Sequence, residues 1–87
     1  MAKLSQFLKQ KRETIGLTQK EVSDRLGYTT PQFVSNWERG LSSPPLNALA
    51  KISDMYKIKP REMIEVVMKE QREVLEKALS KKSRRGA

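Results

Sequence analysis

Residues 16–40 read GLTQKEVSDRLGYTTPQFVSNWERG, and this stretch decides the fold. Thr18 to Glu21 is a capping box: the threonine hydroxyl can accept from the amide of Glu21 while the Glu21 carboxylate returns to the amide of Thr18. The helix that starts there is stopped by Gly27. Another starts at Thr30 as N-cap, with Pro31 at the first helical position, where the missing N–H is no loss. Gly40 ends it, so this helix spans about residues 30–39. Only two or three residues separate the pair, and so short a link makes the two helices cross steeply.

Working outward, Leu4, Phe7, Leu8 and Ile15 recur at helical intervals before Gly16 and predict a first helix. After the loop at residues 41–44, a fourth runs from about Pro45 to Tyr56, with Leu46, Leu49, Ala50, Ile52 and Ser53 on its inner side. Pro60 opens a fifth segment that nothing breaks until Ser80. At about 1.5 Å per residue, residues 60–79 make a rod of about 30 Å. There is no strand signal. The chain reads as all-α, with five helices and a helix-turn-helix at their centre.

Eighty-seven residues are enough for one small domain. Eighteen Lys plus Arg against 10 Asp plus Glu give a net charge of +8. With no cysteine and no histidine, disulfides, zinc fingers, thiol nucleophiles and imidazole acid-base chemistry are excluded. The acids are dispersed along the helices in no metal-ligand or nucleophile-base spacing, so neither catalysis nor a cofactor or metal is expected. No run approaches the roughly 20 apolar residues of a membrane span, and MAKLSQFLKQKR lacks a signal peptide's apolar segment. A cytoplasmic protein at the nucleoid is expected. Its cations point first to nucleic acid. Residues 1–59 carry 10 basic and 5 acidic groups, residues 60–79 carry 4 and 5, and residues 80–87 carry 4 and none. That divides the chain into a basic domain, a balanced charge-dense helix and a basic tail with nothing to bury.

The runs GLTQKEVSDRLG, FVSNWERGLSSPPLNALAKIS and YKIKPREMI resemble the phage-repressor and Cro type of helix-turn-helix regulators, the XRE family. The resemblance covers residues 4 to about 64. It rests on the joint spacing of Leu-Thr-Gln, Leu-Gly, Trp-Glu-Arg-Gly and a following Ser-Pro. It implies a five-helix, lambda-repressor-like DNA-binding domain whose second helix lies across the DNA backbone and whose third enters the major groove. In one respect the chain departs from the family, because Tyr28-Thr29-Thr30-Pro31 makes the turn one residue longer. The extra residue falls at Tyr28 or Thr29. Ser23 stands where the family usually has alanine.

On the third helix, Gln32, Ser35, Asn36 and Arg39 share one face by 3.6 periodicity. Gln and Asn can pair bidentately with the adenine edge. By resemblance, Gln32 and Asn36 match base-contacting positions, with Ser35 beside them. Phe33 has two places open to it, against a thymine methyl or folded inward under the longer turn. For phosphates, helix starts and loop amides suit best: Thr18, Gln19 and Lys20 on the second helix, Thr30, and Arg39, Ser42 and Ser43 after the third. Gln19 matches a family phosphate position. The resemblance also places Arg12 and Glu38 as a structural ion pair, and Trp37 is expected in the core.

In typical members the fifth helix ends near the position of Ile64, so the domain is taken as residues 1–64, an extension as 65–79 and a flexible basic tail as 80–87. Along the extension an apolar stripe joins Ile64, Val67 and Met68 to Gln71, Val74 and Leu75, then to Ala78 and Leu79. A stripe that leaves its domain requires a partner surface. Self-association into a homodimer is expected, unless the helix folds back on its own domain. The leading functional reading is a dimeric, sequence-specific regulator of transcription on double-stranded DNA, most simply a repressor. Two alternatives stay open: an antitoxin-like protein whose last helix docks another polypeptide, and a non-specific nucleoid coat.

Overall fold

The computed structural model describes residues 3–86; the side chains of residues 81–87, which hold the charges of the basic segment, lie outside the described residues. Five helices follow one another: α1 (Leu4–Ile15), α2 (Gln19–Leu26), α3 (Gln32–Glu38), α4 (Leu46–Met55) and α5 (Pro60–Gly86). No strand occurs among the described residues.

Local chemistry sets the boundaries. At α2 both halves of the capping box are made: the Glu21 amide donates to the Thr18 hydroxyl at 3.1 Å, and the Thr18 amide donates to the Glu21 carboxylate at 2.9 Å. Gly16 and Gly27 end α1 and α2 at φ 81° and 84°, a left-handed conformation that side chains with a Cβ rarely adopt. Helix α3 is shorter than the span 30–39: Pro31 is its N-cap and Arg39 its C-cap. The Thr30 hydroxyl accepts from the Gln32 amide at 3.3 Å, so threonine caps the turn rather than the helix proper.

Packed between the helices are Leu4, Phe7 and Leu8 of α1, Val22 of α2, Val34 and Trp37 of α3, and Ala48 and Ile52 of α4. Tyr56, Ile58 and Met63 close the base. Each of the larger ones contributes about 1.5–3 kcal/mol by leaving water. Leu46 is not on the inner side. It is 84% exposed, and Ala50 is exposed as well. The buried row of α4 is Ala48 and Ile52, and a position two residues from Ala48 lies about 200° round the helix from it.

Two boundaries drawn on the sequence move. The core does not end at Ile64, because Val66 and Val67 pack against it from the next turn of α5. Nor does the helix end at Ser80 in a separate tail, since the backbone stays helical through Gly86. Lys and Arg are good helix formers, no Gly or Pro intervenes before Gly86, and cations suit the negative end of a helix. The result is an elongated molecule, 50 × 27 × 21 Å.

Candidate nucleic-acid interface

The crossing of α2 and α3 is held from beneath by a buried charge. Arg12 on α1 donates from Nε to Glu38 Oε2 at 2.6 Å and from Nη2 to Oε1 at 3.0 Å, a bidentate pair. Its Nη1 donates to the carbonyl of Leu17 at 2.7 Å, in the turn between α1 and α2. Gln19, at the start of α2, donates from Nε2 to Glu38 Oε1 at 2.9 Å. One carboxylate on α3 thereby fixes three segments of chain. The bond to Glu38 raises the guanidinium's pKa above its ordinary value, so Arg12 stays charged at every working pH. Burial, and then the charge of Glu38, push the Tyr56 phenol well up.

The longer turn is filled by an aromatic group. The Tyr28 ring lies 5.0 Å from Phe33 and 5.9 Å, edge-on, from Trp37. Such centroid distances are those of favourable aromatic pairs. Phe33 packs on Tyr28 with one part of its ring, and 51% of its surface stays exposed. Trp37 and Val34 point into the core.

On the outer face of α3, Gln32 and Arg39 are exposed while Ser35 and Asn36 are partly covered. The Gln32 amide donates to Asn36 Oδ1 at 2.9 Å, and Arg39 Nη2 donates to the same oxygen at 2.9 Å. This face therefore presents a short row of linked polar groups above a rigidly supported helix.

A family model described as helix-turn-helix matches residues 8–63, well over half of the chain. The chain belongs to the XRE-type helix-turn-helix family. It is thus a DNA-binding transcription regulator with an all-α, lambda-repressor-like fold. A comparison with curated proteins finds no match. Family members are regulatory DNA-binding proteins, and no described helix is long and apolar enough to cross a membrane.

In this helix-turn-helix protein the groups expected to suit phosphate lie at the start of α2, in the turn before α3 and in the loop after it. The capping box takes up the amides of Thr18 and Glu21, so the α2 amides left for an anion are those of Gln19 and Lys20. The side-chain Nε2 of Gln19 donates to Glu38, which orients that side chain and still leaves its Oε1 and second Nε2 hydrogen unused. Lys20 stands 3.5 Å from Asp24, both largely exposed, a pair worth little in water. Thr30, Ser42 and Ser43 are exposed.

Away from this face, α5 divides the stripe between two surfaces. Val67 turns toward the domain's own core, whereas Ile64, Met68, Val74, Leu75 and Leu79 are each more than half exposed. Gln71 and Ala78 lie exposed among them. Two features were invisible in the sequence. Glu70 of α5 reaches back to the start of α1, where its carboxylate accepts from the Leu4 amide at 3.1 Å. Between α1, the loop after α3 and the far part of α5 there is an open groove of about 900 Å3, lined by acids and bases alike.

Proposed function

We propose that the chain is a homodimeric, sequence-specific repressor that lays α3 in the major groove of double-stranded DNA, in the cytoplasm on the nucleoid. The observation that carries the reading is the outer face of α3, where Gln32 and Asn36 stand one turn apart and uncharged on a helix braced from within by Arg12 and Glu38. Amide side chains read base edges, while the surrounding cations and loop amides suit phosphates and supply salt-sensitive affinity. Occupying promoter DNA excludes other proteins from it, which makes repression the simplest outcome.

Dimerisation is assigned to the outer side of α5. At 100° per residue Ile64, Met68, Gln71, Leu75 and Leu79 fall within about 80° of one another, a stripe whose edge at Gln71 lies about 40° round the helix from core-facing Val67. Four of these, Ile64, Met68, Leu75 and Leu79, are large apolar groups each more than half exposed, and such a row along one helix face marks an interaction surface. A two-fold pairing there presents two copies of α3 to half-sites about 34 Å apart.

The test is enrichment of bound duplexes from a random pool at two salt concentrations, alongside sedimentation of the native chain and of Met68→Lys with Leu75→Lys. A palindromic motif and a dimer that the double variant dissociates are expected. A monomeric native chain would remove the dimer, and enrichment of no sequence at either salt would remove specific recognition.

A further inference from the structure

The side-chain row on α3 fixes which hydrogen-bonding groups it offers. Asn36 Oδ1 accepts from Gln32 Nε2 and from Arg39 Nη2, each at 2.9 Å. Chemistry forces this orientation of the amide. A guanidinium has no acceptor, so the Asn36 atom facing Arg39 is the oxygen, and the Gln32 atom facing that oxygen is then the nitrogen. A carbonyl oxygen has two lone pairs, and both are engaged. What Asn36 has left is its two Nδ2–H donors.

Resting on the reading of α3 as the helix that enters the groove, we infer that Asn36 is a donor-only base reader that selects guanine, and that Arg39 is the positioning residue that imposes this choice. An asparagine free to turn takes adenine, its oxygen accepting from N6 and its nitrogen donating to N7. Held as it is here, Asn36 meets adenine N6 with a donor against a donor. Guanine shows N7 and O6 on its major-groove edge, two acceptors and no donor. Gln32 is in the opposite condition: its Oε1 is uncommitted and its Nε2 keeps a second hydrogen, the acceptor-donor pair that adenine requires. Two amides a helical turn apart therefore carry different preferences, and the difference comes from Arg39, which is exposed and leaves the core untouched.

The experiment selects duplexes from a random pool with the full chain at one fixed salt concentration, and repeats the selection with Asn36→Ala and Arg39→Leu. The base pair read by residue 36 is the one whose preference vanishes in Asn36→Ala. At that pair the native chain favours guanine over adenine by about tenfold. In Arg39→Leu a lone pair is freed and the amide can turn, so the preference there moves to adenine while the rest of the motif stays. Loss of the Arg39 charge lowers affinity for all duplexes alike, and preference within one variant is unaffected by that. Any base other than guanine at this pair in the native selection, or guanine kept unchanged in Arg39→Leu, overturns the inference and leaves recognition by α3 standing. Enrichment of no sequence at all removes the reading of α3 together with it.

Discussion

The carboxylate of Glu70 accepts a hydrogen bond from the backbone amide of Leu4 at 3.1 Å, across 66 residues of sequence. Lys3, the N-cap of α1, makes no side-chain cap of its own. An acid from another helix thus answers an amide that has no intrahelical partner, at the end of α1 where negative charge is favoured. Glu70→Ala should destabilise the full chain by about 1 kcal/mol. In a domain of this size that lowers the unfolding midpoint by roughly 4–8 °C. Glu70→Gln, which keeps an acceptor, should lose less. Equal midpoints for Glu70→Ala and the native chain would show that the cap adds nothing.

Arg12 and Glu38 make the second prediction. Both side chains are nearly buried, at 11% and 3% exposure. Glu38→Ala leaves a cation without a partner in the interior, and urea unfolding should report a loss of about 3–5 kcal/mol. Removing both charges, as Arg12→Met with Glu38→Leu, should recover much of that, because no uncompensated charge then remains. A double variant as unstable as the single one would mean that the pair is worth its full Coulomb attraction.

Ser23 gives a prediction of opposite sign. It is 1% exposed and its hydroxyl has no hydrogen-bond partner. Desolvating an unpaired hydroxyl is unfavourable, and alanine is also the better helix former. Ser23→Ala should therefore stabilise by about 1 kcal/mol, read as a raised urea midpoint with an unchanged slope. A lowered midpoint would mean that the hydroxyl finds a partner in solution.

The capping box has a pH signature. Hydrogen bonds from the Thr18 amide, and then from its side chain, hold the Glu21 carboxyl below the usual carboxylate range. A group whose folded pKa lies below its unfolded one stabilises above the unfolded value, near 4.3, and that contribution is lost as pH falls through the folded value. Native chain and Glu21→Ala should therefore differ in stability at neutral pH, and the gap should shrink as pH falls below the unfolded value of about 4.3. A gap that is constant from pH 7 to pH 2 would assign the effect to helix propensity instead.

What could be read from residues alone follows the distance over which each feature acts. The capping box joins residues three apart, and the two glycine stops act on their own backbone, so both are legible. Gln32, Asn36 and Arg39 are visibly on one face, but the direction of their hydrogen bonds depends on three side chains choosing together. The extra turn residue is evident from spacing, whereas the lodging of Tyr28 between Phe33 and Trp37 depends on where three rings meet. Leu46 shows how an apolar pattern misleads when the phase of a short helix is set by small Ala48. Nothing in the sequence singles out Glu70 from the other acids of α5, since its partner is a backbone amide at the far end of the chain.

Trp37 is the chain's one tryptophan, and residues 60–87 contain no aromatic residue. The residue is 4% exposed and its ring lies edge-on to Tyr28 at 5.9 Å. The emission spectrum of the unlabelled protein consequently watches the braced crossing of α2 and α3 first, and α5 only through the groove that Trp37 shares with Glu73 and Val74, whereas circular dichroism sees every helix. Recorded together during denaturation, the two signals separate melting of the projecting rod from loss of the domain that carries it.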